Sequence, residues 1–102
     1  MFKIQGDPTI PANVIIVGQG KEQTLELVYH RIPLSRYSEM LAKLGEGALA
    51  PSEAVLELVE SWKADAPLNA ESLELLREHQ PGAEAAIITA YGDALRVARK
   101  GN

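Results

Sequence analysis

The chain contains no cysteine. That removes disulfides, thiolate zinc sites, iron–sulfur ligation and thiol nucleophiles together, and it fits a reducing compartment. Histidine is nearly as scarce. His30 and His79 are the only two in 102 residues, they fall in different segments, and no third ligand stands at metal spacing, so neither a metal nor another cofactor is expected. No serine lies in a G-x-S-x-G turn; Ser35, Ser38, Ser52, Ser61 and Ser72 fall near helix starts or exits, where capping accounts for them. No apolar run approaches the ~18 residues of a membrane span. The opening "MFKIQGDPTI" lacks the apolar core and small-residue cleavage site of a secretion signal. No catalytic residue is expected either. The acid pairs Glu53/Glu57, Glu57/Glu60 and Glu74/Glu78 share helix faces, as any solvated acidic face would, and no apolar pocket is evident to raise a pKa.

What is present describes one folded domain, 1–102, since typical domains span ~50–200 residues. The 46% hydrophobic and 24% charged contents argue against disorder. The net charge of −4 is unevenly spread. Nine acids between Glu46 and Glu84 face only Lys63 and Arg77, whereas the chain ends on Arg96, Arg99 and Lys100. An acidic centre repels phosphate backbones, so nucleic acid is not expected as a partner.

The first third reads as strands. "NVIIV" (13–17) is a β-branched run, "GQGKEQ" supplies a reversal, and "TLELVYHRI" (24–32) alternates. Leu25, Leu27 and Tyr29 share one face; Thr24, Glu26, Val28 and His30 share the other. Alternation beside a glycine-containing loop predicts a hairpin. Phe2 and Ile4 alternate with Lys3 and Gln5, which suggests a third short strand. Asp7-Pro8 and Ile10-Pro11 break that segment, because proline gives a ladder no donor and belongs at edges.

From Pro33 the period becomes helical. Leu34, Tyr37, Met40, Leu41 and Leu44 form a stripe, with Ser35 as N-cap and Gly45 as stop. Pro51 suits a first helical position, and Val55, Leu58, Val59 and Trp62 then line one face. Asn69 is an N-cap for the next helix, with Leu68 and Leu73 at staple spacing. The last helix, roughly 82–99, carries a ridge of Ala83, Ala86, Ala90, Ala94 and Ala98 beside Ile87, Tyr91 and Leu95. Gly92 in its middle costs ~1 kcal/mol against alanine, which points to a close approach by another element. The expected core includes Val55, Val59, Trp62, Ile87, Tyr91 and Leu95. Trp62, the one tryptophan, admits three readings: core plug, partner anchor or base-stacking platform. The stripe favours the core, packed on the last helix near Tyr91 or Leu95, and the acidic surroundings disfavour stacking. The fold class is α+β: a small N-terminal antiparallel β-hairpin or sheet (1–32) followed by about four α-helices (33–102).

In order, "FKIQGDPTI", the hairpin with "VYHRIPLSRYSEML", "LVESWKAD", a short proline loop, "ESLELLREHQPGAEAAIITAYGDAL" and the ending "ARKGN" resemble the phage tail assembly chaperones of long-tailed bacteriophages. The more telling parts are the tryptophan closing a Leu/Val helix, the "HQPG" break, the alanine-rich helix with Tyr91 and the terminal Arg-Lys-x-Asn. The resemblance covers most of the chain. It implies a non-enzymatic factor in the cytoplasm of the infected bacterium, absent from the mature virion. Such a factor coats the long helical tape measure protein and helps recruit tail tube subunits. It also implies that a programmed frameshift near "ARKGN" adds a second domain in some relatives, although codons decide slippage.

On that reading the hairpin's mixed outward face, Glu26, Val28 and His30, is the expected partner-binding site. Two features provide for a homo-oligomer, the alanine ridge and the free strand edges; the competing reading is that the alanines pack within one chain. Two rival functions stand beside the chaperone: a small cytoplasmic adaptor or regulatory protein with a single protein partner, and a minor phage structural subunit.

Overall fold

The computed structural model describes residues 1–96. Its elements are β1 (Thr9–Gly18), β2 (Lys21–His30), α1 (Leu34–Glu46), α2 (Pro51–Leu58), β3 (Val59–Trp62), α3 (Ala70–His79) and α4 (Ala83–Leu95). The class is the expected α+β, an N-terminal antiparallel hairpin extended to a three-stranded sheet in the order β1-β2-β3, with four helices.

The hairpin is longer and its turn tighter than the sequence suggests. Pairing runs without a break from Thr9↔His30 to Gly18↔Lys21, so "KEQ" belongs to β2 and not to a loop. Gln19 and Gly20 take φ values of 54° and 76°. A two-residue turn with both centres left-handed matches the strands' own twist, which lets the ladder close to its last pair. Pro11 does not break the segment. It lies within β1 opposite Val28, tolerated because β1 is the edge of the sheet. Residues 1–8 form no strand, and Phe2 and Ile4 are exposed.

The third strand comes instead from a stretch read as helix. α2 ends at Leu58, and Val59–Trp62 pairs antiparallel with β2 through Leu27↔Trp62, Val28↔Ser61 and Tyr29↔Val59, with an irregularity between Val28 and Tyr29. Val59 still donates its N–H to the Val55 carbonyl, the last helical bond. Beyond it the backbone finds partners along the second edge of β2, and the Lys63 N–H continues that ladder to the Glu26 carbonyl at 2.9 Å. Backbone groups take whichever partners the tertiary structure offers, so a period that also suits a helix gives way. Trp62 therefore stands on a strand and not on the expected helix face, directed inward opposite Leu27 and half-buried.

Two helix boundaries also move. Pro33, not Ser35, stands at the N-cap of α1, and no side chain caps it. The stop is Gly47 at φ 75°, not Gly45, because a left-handed residue is what frees the chain to leave the helix. Leu34 and Leu41 of the expected stripe are exposed, whereas Tyr37 and Met40 are buried. Other local signals hold: Pro51 opens α2, and the Asn69 side chain accepts the Ser72 N–H at 2.9 Å. α4 is described to Leu95, so Ala98, Arg99 and Lys100 lie outside the described residues. Ala83 is buried, and Ala86, Ala90 and Ala94 are half-buried against the core, so that ridge packs within the chain.

Three tyrosines tie the layers together. Tyr29 of β2 donates its hydroxyl to the Ile87 carbonyl at 2.6 Å, and Tyr37 of α1 donates to the Ile88 carbonyl at 2.8 Å. Tyr91 of α4 accepts the Ile32 N–H at 2.9 Å. The Tyr91 ring meets both others edge-on, with centroids 5.2 Å from Tyr29 and 4.9 Å from Tyr37, the geometry ring quadrupoles favour. Burial pushes the Tyr29 and Tyr37 hydroxyl pKa values upward. Around the tyrosines, Val55, Leu58, Val59, Leu73 and Ile87 are buried, and Leu95 packs at the margin.

Candidate functional site: the outer face of the sheet

Side chains alternate across a strand, and the burial of β1 and β2 follows that rule. Val14, Ile16, Leu27 and Tyr29 are buried toward the helices, and Leu25 is half-buried with them. Asn13, Ile15, Val17, Thr24 and Glu26 lie exposed on the opposite face. The sheet therefore has one face in the core and one open.

Of the three residues expected to bind a partner, Glu26 and Val28 come together and His30 stands apart. Glu26 and Val28 line a shallow hollow of about 310 Å³ with Pro11, Asn13, Ser61 and Lys63. Val28 sits at its centre, half-buried between Pro11 of β1 and Ser61 of β3. Glu26 lies 3.9 Å from the Lys63 ammonium, with both side chains well exposed, a pair worth well under ~1 kcal/mol. It is thus free to exchange partners. His30 is exposed at the end of β2, opposite Thr9, outside the hollow.

The face holds two apolar residues that the sequence did not mark, Ile15 and Val17, 52% and 71% exposed. Their neighbours Val14 and Ile16 are just as apolar, so "NVIIV" shows no polar contrast from which period two could be read. The only signal available was parity with Leu25 and Leu27 across the hairpin.

Elsewhere two ion pairs tie elements together. Arg36 of α1 holds Glu57 of α2 with two bonds of 2.6 and 2.5 Å and also reaches Glu39. Hydrogen bonding from Arg36 keeps the Glu57 carboxyl below the ordinary glutamate value. Glu84 is buried at the start of α4 and accepts from Arg77 at 2.9 Å. Among the described residues no cluster of three or more His, Asp or Glu side chains is placed to hold a metal ion, and no helix is long and apolar enough to cross a membrane. What the arrangement offers chemically is a mixed apolar and polar surface on a rigid sheet.

The sequence model of a family described as phage tail assembly chaperone matches residues 1–102. No curated protein and no solved structure matches the chain.

Proposed function

The chain belongs to the phage tail assembly chaperone family, whose members are non-enzymatic, and from that premise we propose that it holds the tape measure protein on the outer face of its sheet. Family membership implies tail proteins as the partners. The tape measure protein is the component whose long helical apolar surface needs covering before the tail is built, and tail tube subunits are recruited to the covered complex. The work takes place in the cytoplasm of the infected bacterium, and the chaperone leaves before the virion matures.

One observation carries this reading: the fully buried residues of β1 and β2 all lie on one side of the sheet, and the other side keeps Ile15 and Val17 exposed toward the turn, on the same face as Thr24, Glu26 and the half-buried Val28. A holdase needs apolar surface that does not collapse into its own core, polar neighbours that keep it in solution, and contacts weak enough to release. Here Leu27 and Tyr29 anchor the inner side of the same strands, so the outer side is available without unfolding. The acidic net charge supports solubility and favours partner segments with basic stretches.

Co-expression with the tape measure protein of the same phage tests it. The expected result is a soluble tape measure protein that co-purifies with the chaperone. Val28→Asp and Glu26→Lys are expected to weaken that complex while the chaperone alone keeps its melting midpoint within a few degrees. Unchanged tape measure solubility with and without the chaperone defeats the proposal; a one-to-one complex with some other protein then marks an adaptor, and recovery from purified particles marks a structural subunit.

A further inference from the structure

Among the described residues β1 pairs with β2 alone, so its other edge is open. The parity of the hairpin fixes which groups point there. A two-residue turn closes on a hydrogen-bonded pair, here Gly18 and Lys21, and bonded and non-bonded pairs alternate from it. Ile16, Val14, Ala12 and Ile10 then bond to β2, while Val17, Ile15, Asn13, Pro11 and Thr9 turn their backbone groups to the open side. The far end of the hairpin has the same parity: the Arg31 N–H donates to the Pro8 carbonyl at 2.9 Å. Edges are usually guarded by charge, proline or a bulge. Pro11 guards one half of this one. The half from Asn13 to Val17 carries no charge and no break in register, and it exposes Ile15 and Val17.

We propose that a second copy of this chain pairs with that half, β1 against β1, antiparallel about a twofold axis at Ile15. In this register Ile15 meets Ile15, and Asn13 of each copy meets Val17 of the other. Each of these pairs exchanges both backbone bonds, about six in all. Pro11 falls opposite Gln19, where the partner's strand has already turned, so its missing N–H removes nothing. Any register that slides the copies into longer overlap sets Pro11 inside the ladder, against Val17 or Ile15, where its ring clashes and a carbonyl goes without a donor. The proline thus selects a register as well as guarding an edge.

Charge does not oppose the pairing. Glu22 and Glu26 stand on β2 opposite Val17 and Asn13, so in the joined sheet three strand spacings separate them from the partner's glutamates. At ~4.8 Å per spacing that is ~14 Å, beyond the ~8 Å screening length at physiological salt. The centre of the joint holds only Ile15 side chains, flanked by Val17 and Asn13. A strand pair this short buries less than the ~1,200–2,000 Å² of a stable interface, so the dimer is weak and depends on concentration. It joins two outer faces into one continuous six-stranded surface, and it does not depend on what that surface binds.

Sedimentation velocity on the chaperone alone tests the dimer. The mass is expected to rise from the 11.1 kDa monomer toward twice that value between micromolar and millimolar concentration. Ile15→Lys is expected to hold it at the monomer with an unchanged melting midpoint. Cysteine placement reads the register, since the chain has none of its own. Ile15→Cys brings two Cα atoms to ~5.5 Å, within disulfide reach, and should cross-link on oxidation. Val17→Cys, ~14 Å from its twin at ~3.4 Å per residue, should not. A monomer at every concentration, association undisturbed by Ile15→Lys, or Val17→Cys cross-linking as readily as Ile15→Cys would each overturn the proposal.

Discussion

The hydroxyl oxygen of Tyr37 stands 3.0 Å from the point that a β-carbon on Gly92 would occupy. This is the close approach that a glycine inside α4 announces, and Tyr37 has little room to retreat. Its hydroxyl is bonded to the Ile88 carbonyl, and its ring is set edge-on against Tyr91. Gly92→Ala gains ~1 kcal/mol of helix propensity but crowds the packed core, at ~1–3 kcal/mol. The expected net loss is about 1 kcal/mol, read from the denaturant midpoint. In a Tyr37→Phe background the nearest remaining ring atoms lie at 3.4 and 3.5 Å, which is ordinary contact. Gly92→Ala should then be neutral or stabilising. An equal loss in both backgrounds places the crowding elsewhere.

The link between α1 and α2 predicts how stability responds to acid. Hydrogen bonds from Arg36, reinforced by its charge, hold the Glu57 carboxyl below its ordinary value of 4.5, against the smaller opposing effect of burial. A carboxyl whose folded pKa is depressed binds fewer protons in the native state than in the unfolded state. Its stabilisation is therefore complete above about pH 5 and fades as the pH falls through the folded value. Both side chains are about one-third exposed, so solvent screening keeps the contribution to about 1 kcal/mol or less. Melting curves from pH 7 down to pH 3 should show a shallower acid slope for Glu57→Gln than for the native chain. Parallel slopes would assign the acid sensitivity to other carboxylates.

Glu84 and Arg77 make a different kind of pair. The Glu84 side chain is 5% exposed and that of Arg77 51%, so the arginine brings a positive charge from the solvent side to a carboxylate that has almost no solvent contact of its own. Removing a partner from a buried polar group costs more than removing the whole pair. Arg77→Ala is expected to lower the melting midpoint, because it leaves the buried carboxylate without its partner. Adding Glu84→Gln should recover part of that loss, because an amide at the first turn of α4 needs no counter-charge. If the double variant is less stable than Arg77→Ala, the carboxylate is served by the N-terminus of α4 and not by Arg77.

Features set by a few neighbouring residues were legible in the sequence: the Asn69 cap, Pro51 at the start of α2, the inward row of Leu25, Leu27 and Tyr29, and the close approach at Gly92. What was not legible depends on residues far apart. Val55, Leu58, Val59 and Trp62 fit a helix face, and only the free edge of β2, laid down some thirty residues earlier, turns the last part into a strand. Glu84 reads only as the last of the nine acids until Arg77, across the Gln80–Gly82 break, is seen to reach it. The binding face was half legible. Glu26 and Val28 stood out because polar and apolar residues alternate in β2, whereas Ile15 and Val17 were hidden among equally apolar neighbours.

Trp62 closes β3 and fastens the loop that follows. Its indole N–H donates to the Ala66 carbonyl at 2.8 Å, its strand partner is the buried Leu27, and it shares a hollow of about 540 Å³ with Leu25, Leu75 and Leu76. Because the ring is only half-buried, Trp62→Ala should cost about 2–3 kcal/mol, less than the ~3–5 kcal/mol of a fully enclosed aromatic. Trp62→Phe keeps the cross-strand contact and gives up the bond to Ala66, a loss of about 1 kcal/mol. The effect should also be local. Hydrogen exchange at the Lys63 amide, which is bonded to the Glu26 carbonyl, should accelerate in Trp62→Ala more than exchange in the middle of α4. Uniform acceleration across the chain would show that β3 opens only with the whole domain. A Trp62→Phe chain that keeps native stability and exchange yet loses the tape measure protein would make the indole a partner anchor and not a strap for β3.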